Sequence, residues 1–312
     1  VKKTIVNKYF NKNAASWAKG GYCEDDYNYP VAYHRALTVI KILSALKKKK
    51  IKVADLGCGP GSFALMLAGR GYDVTGVDQS RSMVSIAGKA LDASLPAVKK
   101  RVRFIQASVE SVGLSDTAFD VVTSMGVIGY LKSDSPLFKT ANRLLKPGGL
   151  FLVSCRNRLF NMISITDRTV KEVTSGSARE LIAQINELYK AVPAEDTDIF
   201  IKNLKKSICR LPKKTSYPRG HLPNLNDYSP AHCPNAVEAR QHTPLEIERI
   251  ACKFGFKRMA FYGIHPHIIA PAMNRLMPPK IYNRLSECLE AFSHLPASLI
   301  WSSHFIGVFK KG

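Results

Sequence analysis

Acidic side chains are scarce in this sequence. Lys and Arg total 46 against 24 Asp and Glu, so the 312-residue chain carries a formal net charge of +22. That excess favours an anionic partner or surface, whether nucleic acid, anionic lipid, a phosphorylated sugar or an acidic protein, without choosing among them. No run of 18 apolar residues is present, so the sequence offers no membrane span. The seven cysteines, at 23, 58, 155, 209, 233, 252 and 288, contain no C-x-x-C pair. An odd number without zinc-type spacing reads as free thiols in a reducing compartment, and no metal centre is expected. The lysine-bearing start lacks the apolar segment of a secretory signal, so the expected location is cytoplasmic. What the sequence does have is core. Its 46% hydrophobic content suits one elaborated domain, or a domain with a lid.

The rest of the chain is organised around Val53-Ala54-Asp55-Leu56-Gly57-Cys58-Gly59-Pro60-Gly61-Ser62-Phe63. The apolar residues read as a buried strand ending near Leu56, and Ala64-Leu65-Met66-Leu67-Ala68 continues as a helix. Strand, glycine turn and helix N-terminus together form a pocket for a nucleotide-like ligand, because glycine permits close backbone approach. A dinucleotide fingerprint needs G-x-G-x-x-G, but position 62 is Ser, and the closing G-K-[ST] of a phosphate loop is missing. A second short strand, Val74-Thr75-Gly76-Val77-Asp78, ends in an acid that can accept two hydrogen bonds from ribose hydroxyls. Asp55 with a G-x-G-x-G turn, followed by Asp78, resembles the class I S-adenosylmethionine-dependent methyltransferases. The resemblance covers 50–154 well and 243–310 more loosely.

The element order agrees with that resemblance. Strands are expected at about 51–56, 72–77, 102–106, 119–125, 150–154, 257–263 and 304–309, alternating with helices in the first half. The fold expected is an α/β, Rossmann-like, seven-stranded mostly parallel sheet with an antiparallel last strand and a helical lid insertion. Ser80 is a candidate N-cap. Thr243-Pro244-Leu245-Glu246 is a strong helix start, and Lys146-Pro147-Gly148-Gly149 is a turn common in the family. Four regions follow: an N-terminal arm (1–35), a cofactor-binding core (36–154), a basic lid or acceptor-binding insertion (155–242), and a completion of the core (243–312) with a long excursion at 268–302. The insertion separates Ser154 from Thr243, far beyond a usual connection. Helical patterns within it run near 159–165, 177–192 and 197–209. Residues 201–220 hold seven Lys or Arg and no acid.

The resemblance implies S-adenosyl-L-methionine as cofactor and a set of residues around it. Asp55, Gly57, Cys58, Gly59 and Gly61 come from the turn, and Asp78 and Gln79 from the second strand end. Ser108 and Val109 stand where the family commonly places an adenine contact, and Ser124 and Met125 at the exit of the fourth strand. For the acceptor the candidates are Tyr29 from the aromatic arm, Arg156 and Asn157 at the end of strand five, and His221 beside the basic run. Active sites of open parallel sheets lie at that strand end. His265 and His267 are candidate general bases, since a neutral imidazole can take a proton from a hydroxyl. The expected activity is methyl transfer to a hydroxyl or amine of a small or medium acceptor, anionic or polar, such as a sugar or glycan precursor. Two alternatives stay open: an RNA methyltransferase, with nucleic acid as partner, and a non-catalytic cofactor-binding scaffold. Asn-Pro-Pro-Tyr, typical of enzymes that methylate base amines, does not occur.

Overall fold

The computed structural model describes residues 3–20, 22, 29–46, 48, 50–189, 237, 239–271 and 277–312. Seven strands form one sheet: β1 (Lys52–Leu56), β2 (Asp73–Asp78), β3 (Val102–Gln106), β4 (Phe119–Met125), β5 (Leu145–Arg156), β6 (Phe256–Pro266) and β7 (Ser302–Lys311). Their spatial order is β3-β2-β1-β4-β5-β7-β6. β3 through β5 pair in parallel, whereas β7 runs antiparallel to both β5 and β6. The expected Rossmann-like sheet is therefore the observed one.

Its strands build two cores because side chains alternate between faces along each of them. Val122, Phe151, Val153, Phe305 and Phe309 turn to one side and pack with Phe138 and Ile247. Val121, Leu152 and Ile306 turn to the other and meet Val39, Leu43, Phe63 and Leu67. On the first side Phe138 lies edge-on to Phe151, with ring centroids 5.3 Å apart. Such a pair adds about 0.5–1.5 kcal/mol beyond its buried area.

The local signals for helix starts are realised. Ser80 Oγ accepts the Met83 N–H at 3.2 Å and caps the helix Arg81–Asp92. Thr243 and Glu246 exchange hydrogen bonds as a capping box, with Pro244 at the first position of the helix Pro244–Lys253. One boundary differs from expectation. The helix before β5 ends at Leu144, and the Lys146–Gly149 turn is absorbed into an irregular beginning of β5, where the pairing with β4 shifts register between Phe119 and Val121.

After β5 the described part of the insertion forms helices Asn161–Ser164, Asp167–Thr174 and Ala178–Tyr189. Arg158 ties this unit to the core through Glu172 at 2.8 Å and Glu246 at 3.0 Å. The helix expected at 197–209, the basic run 201–220 and His221 lie outside the described residues. Helices Pro279–Glu290 and Ser298–Trp301, from the 268–302 excursion, pack against β6, and no described residue of the excursion lines the main cavity. The described part of the excursion therefore covers the sheet rather than facing the cavity. No described helix is long and apolar enough to cross a membrane.

Candidate functional site

The C-terminal ends of β1, β2, β4 and β5 open into a cavity of about 600 Å³, a size usual for small-molecule sites. Its floor is the glycine turn. The N–H groups of Gly57 and Cys58 both reach the Val77 carbonyl, at 2.7 and 3.0 Å, which fastens the turn to β2. Gly57 holds φ +82° and lies so close to Val127 that an added Cβ would come within 2.2 Å of its Cγ2. Only glycine satisfies both conditions. Gly59, at φ +54°, has nothing within 4 Å of the place a Cβ would take, so its bare backbone borders open space.

Asp78 closes the turn from the other side. Its Oδ2 accepts the Gly59 N–H at 2.9 Å and its Oδ1 the Ser80 N–H at 2.8 Å. Each carboxylate oxygen keeps a further lone pair. Burial raises the Asp78 carboxyl above its ordinary range, and the backbone N–H bonds oppose that rise. Asp55 lies deeper, with its Oδ1 accepting from Thr123 Oγ1 at 2.8 Å. Its burial outweighs that bond and pushes its pKa up to about 7.

Most of the expected cofactor contacts line this cavity: Asp55, Gly57, Cys58, Gly59, Asp78, Gln79, Val109 and Met125. Three do not. Gly61 begins the helix Ser62–Ala68 in the left-handed region and is there for packing, since a Cβ would sit 2.6 Å from the Phe104 ring. Ser124 is fully buried and donates to the Leu56 carbonyl at 3.1 Å. Ser108 accepts the Glu110 N–H at 3.3 Å in its own turn and stands off the wall.

The acceptor candidates divide in the same way. Tyr29 and Arg156 line the cavity. Asn157 does not: it is fully buried, donates to the carbonyls of Leu299 and Ser302, and accepts the Leu159 N–H. Both of its side-chain groups are held by backbone, so it pins β5 to the chain before β7 instead of facing an acceptor. His265 and His267 are also off the wall. The His265 ring stacks on Tyr29 with centroids 4.4 Å apart, and His267 packs 4.2 Å from His265. Burial lowers both imidazoles, His267 to about 3. They are neutral rings one layer behind the cavity, and neither reaches an acceptor directly.

Sequence reasoning missed Arg35, Ser154 and His304, which line the cavity; from the N-terminal arm the helix Lys3–Gly20 roofs it with Val6, Tyr9, Phe10, Asn13, Ser16 and Trp17. Phe10 of that helix meets Tyr130 edge-on at 5.0 Å. Asn11 Oδ1 accepts from Ser80 Oγ at 2.8 Å and Ser82 N at 3.0 Å, so the roof is latched beside Asp78. Arg35 donates through Nη1 to Ser154 Oγ at 3.2 Å, while its buried Nε has no partner among the described residues. Burial lowers its pKa. Asp55 is the carboxylate that acts on it, without a hydrogen bond between the two, so the guanidinium keeps donors for an anionic group that enters the cavity.

S-adenosylmethionine fits this arrangement. Its ribose diol suits the free lone pairs of Asp78, the bare turn at Gly59 admits close approach, and Arg35 offers a donor for its carboxylate. Asp55 supplies an acid near the same end. No feature calls for a pyrophosphate, which Asp78 would repel.

Comparison with known proteins gives the same answer. The family model described as a methyltransferase domain matches residues 54–153. The ubiquinone biosynthesis O-methyltransferase of Paracidovorax citrulli is 33% identical over 108 residues, 34% of this chain and 44% of that protein. The enzyme of the same name from Rickettsia prowazekii is 28% identical over 170 residues, 53% of this chain and 64% of its own length. The chain thus spans about half of the curated relatives it matches. In fold it is similar to magnesium protoporphyrin IX methyltransferase from Synechocystis, solved with S-adenosylhomocysteine, at a TM-score of 0.55 and 16% identity, covering 99% of each chain. The [4+2]-cyclase SpnF is similar at 0.53 and 15% identity, covering 98% of this chain and 94% of that one. With its glycine turn, its Asp78 and its strand order, the chain resembles the class I S-adenosylmethionine-dependent methyltransferases, and its residues 54–153 match a methyltransferase domain.

Proposed function

We propose that this chain transfers a methyl group from S-adenosylmethionine to a hydroxyl or amine of a small or medium acceptor that carries an anionic group. A sugar or glycan precursor bearing a carboxylate or phosphate belongs to that class. The cofactor supplies an activated methyl on a positive sulfur. The chain's own part is to hold both partners in line and keep water out, which accounts for much of the rate in such reactions.

The observation that carries this reading is Arg156. It lines the same cavity as Asp78, at the last position of β5, and its guanidinium makes no hydrogen bond or ion pair among the described residues. With Arg35 satisfied by the cofactor, Arg156 is left to an anion on the acceptor. A carboxylate or phosphate meets a guanidinium in a bidentate pair. The enclosing roof of Lys3–Gly20 suits a small acceptor better than a polymer. The RNA reading draws on the basic run 201–220, which lies outside the described residues.

The test has two stages. Isothermal titration with S-adenosylhomocysteine checks the cofactor site, and no binding refutes the reading at once. Labelled methyl transfer to glucuronate and to 4-hydroxybenzoate is then compared with transfer to their uncharged methyl esters. A preference of tenfold or more for the free acids, lost in Arg156→Met, supports the anionic acceptor. Equal use of acids and esters overturns it.

A further inference from the structure

Two histidines and a serine connect the cavity to the layer behind it. We infer that His304 is the base that takes the proton from an acceptor hydroxyl, and that Ser303 and His265 orient it and lead the proton away. The inference rests on the methyl-transfer reading above, applied to a hydroxyl acceptor.

His304 is paired in register with Arg156 across β5 and β7, and directly paired residues project to the same face of a sheet. Both line the cavity. The Nδ1 of His304 lies 3.0 Å from Ser303 Oγ, and Ser303 Oγ lies 3.0 Å from the Nδ1 of His265. The Nε2 of His304 has no partner among the described residues and is not sealed off from the cavity. It is therefore the free end of the chain of groups.

Ser303 has one proton and three neighbours, the two Nδ1 atoms and the His265 carbonyl at 3.4 Å, so at most one ring accepts its proton. If the serine donates to His265, His304 must donate its own Nδ1–H to the serine, and its Nε2 is a bare lone pair. The opposite arrangement puts an N–H on Nε2. The surroundings choose the first. Arg35 and Arg156 act on His304 as neighbouring positive charges, secondary to burial in holding it neutral. With Arg35 and Arg156 lining the same cavity, a lone pair turned toward it is favoured over an N–H dipole.

The proton then moves without leaving an unbalanced charge at the cavity. The acceptor O–H bond breaks as Nε2–H forms. The oxygen keeps the electron pair and binds the methyl carbon, and sulfur keeps the pair of the broken carbon–sulfur bond. His304 passes its Nδ1 proton to Ser303, and Ser303 passes its own to His265. The charge ends transiently on the His265 ring, which burial keeps neutral at rest; the Tyr29 face, 4.4 Å away, offsets part of that cost through a cation–π contact. Tyr29 donates to Glu290, which also accepts the backbone N–H of His265 at 2.9 Å. His265 has φ +57° inside β6, an uncommon backbone for a non-glycine residue.

Long-range proton–nitrogen spectra of the histidine side chains test the orientation in the enzyme without ligands. His304 should show Nδ1–H and unprotonated Nε2 at pH 7 in the wild type, and a mixture of tautomers in Ser303→Ala. An Nε2–H form in the wild type overturns the inference. Turnover with glucuronate and 4-hydroxybenzoate should fall about 100-fold or more in His304→Gln, with S-adenosylhomocysteine affinity within twofold. Ser303→Ala should lose part of that rate and Ser303→Thr should retain it. Undiminished turnover in His304→Gln also overturns the inference. If the wild type binds S-adenosylhomocysteine but methylates neither probe, the acceptor reading fails and the spectra alone decide the role of His304.

Discussion

The Tyr29 hydroxyl donates to Oε1 of Glu290 at 2.6 Å, joining the N-terminal arm to the Pro279–Glu290 helix across 261 positions. Burial lifts the Glu290 carboxyl to about 7, against the pull of its bonds from Tyr29 and the backbone N–H of His265. Between the ordinary value of 4.5 and about 7 the native state keeps a proton that the unfolded chain has lost. This contribution to stability is full at low pH and is lost as pH rises through 7. In thermal melts from pH 5 to pH 8, Glu290→Gln should lose less stability than the wild type. Identical pH slopes for the two proteins would contradict the buried, protonated acid.

Gly57 and Gly59 should respond differently to alanine. At Gly57 the new methyl meets Val127 in a left-handed backbone, so Gly57→Ala should cost about 2–3 kcal/mol or more. At Gly59 the methyl enters open space and only the backbone strain remains, about 1 kcal/mol. Gly59→Ala should therefore fold yet bind S-adenosylhomocysteine poorly, because the methyl projects into the cavity. Denaturant melts together with calorimetric titration check the pair, and equal destabilisation would count against the close contact at Gly57.

Asp78 has two roles that one substitution separates. Asp78→Asn keeps one acceptor oxygen for the turn but puts an amide opposite a second backbone N–H. A loss of about 1–3 kcal/mol in stability is expected, together with at least a tenfold loss of affinity for S-adenosylhomocysteine. Unchanged affinity would mean that the ribose lies elsewhere.

Arg35 is a buried cation whose Nε has no partner among the described residues, so its removal should not weaken the fold. Arg35→Met is expected to match or exceed the wild-type melting temperature, since an apolar replacement removes a desolvation penalty. Its affinity for S-adenosylhomocysteine should fall tenfold or more. A destabilised variant with normal affinity would assign Arg35 a structural role instead.

Asn157→Ala should be among the most damaging single changes at this end of the sheet. It strips partners from the buried carbonyls of Leu299 and Ser302 and from the Leu159 N–H. Each buried group left unsatisfied costs about 1–3 kcal/mol. Arg156→Ala, one residue away and without such bonds, should leave the melting temperature nearly unchanged.

The cofactor half of the site was legible because its chemistry is local. Asp55, the glycine turn and Asp78 fall within two strands and one loop, and their spacing states what they hold. The capping signals at Ser80 and Thr243 were legible for the same reason. The acceptor half depends on register between strands far apart in sequence. Nothing near Arg156 announces that His304 is its neighbour, because that pairing is set by how β7 enters between β5 and β6. His265 and His267 looked exposed at a strand exit, yet the 268–302 excursion and the Tyr29 segment bury them. Asn157 looked like a rim residue because the carbonyls it serves lie about 140 positions away. Arg35 sat unremarked in an amphipathic helix, since a helical pattern does not tell which cation lines a cavity.

The place of β7 has a consequence for biosynthesis. It is translated after both strands that flank it, so a nascent chain ending at Pro266 has β5 and β6 with no bridge between them. One edge of β5 then exposes unpaired backbone groups on the ribosome until the ten residues of β7 emerge. Open edges of that kind attract other strands, so chaperone capture during synthesis should concentrate on this late interval. Slowing the ribosome just before the codon for Ser302 should lower the yield of folded product more than the same pause placed earlier.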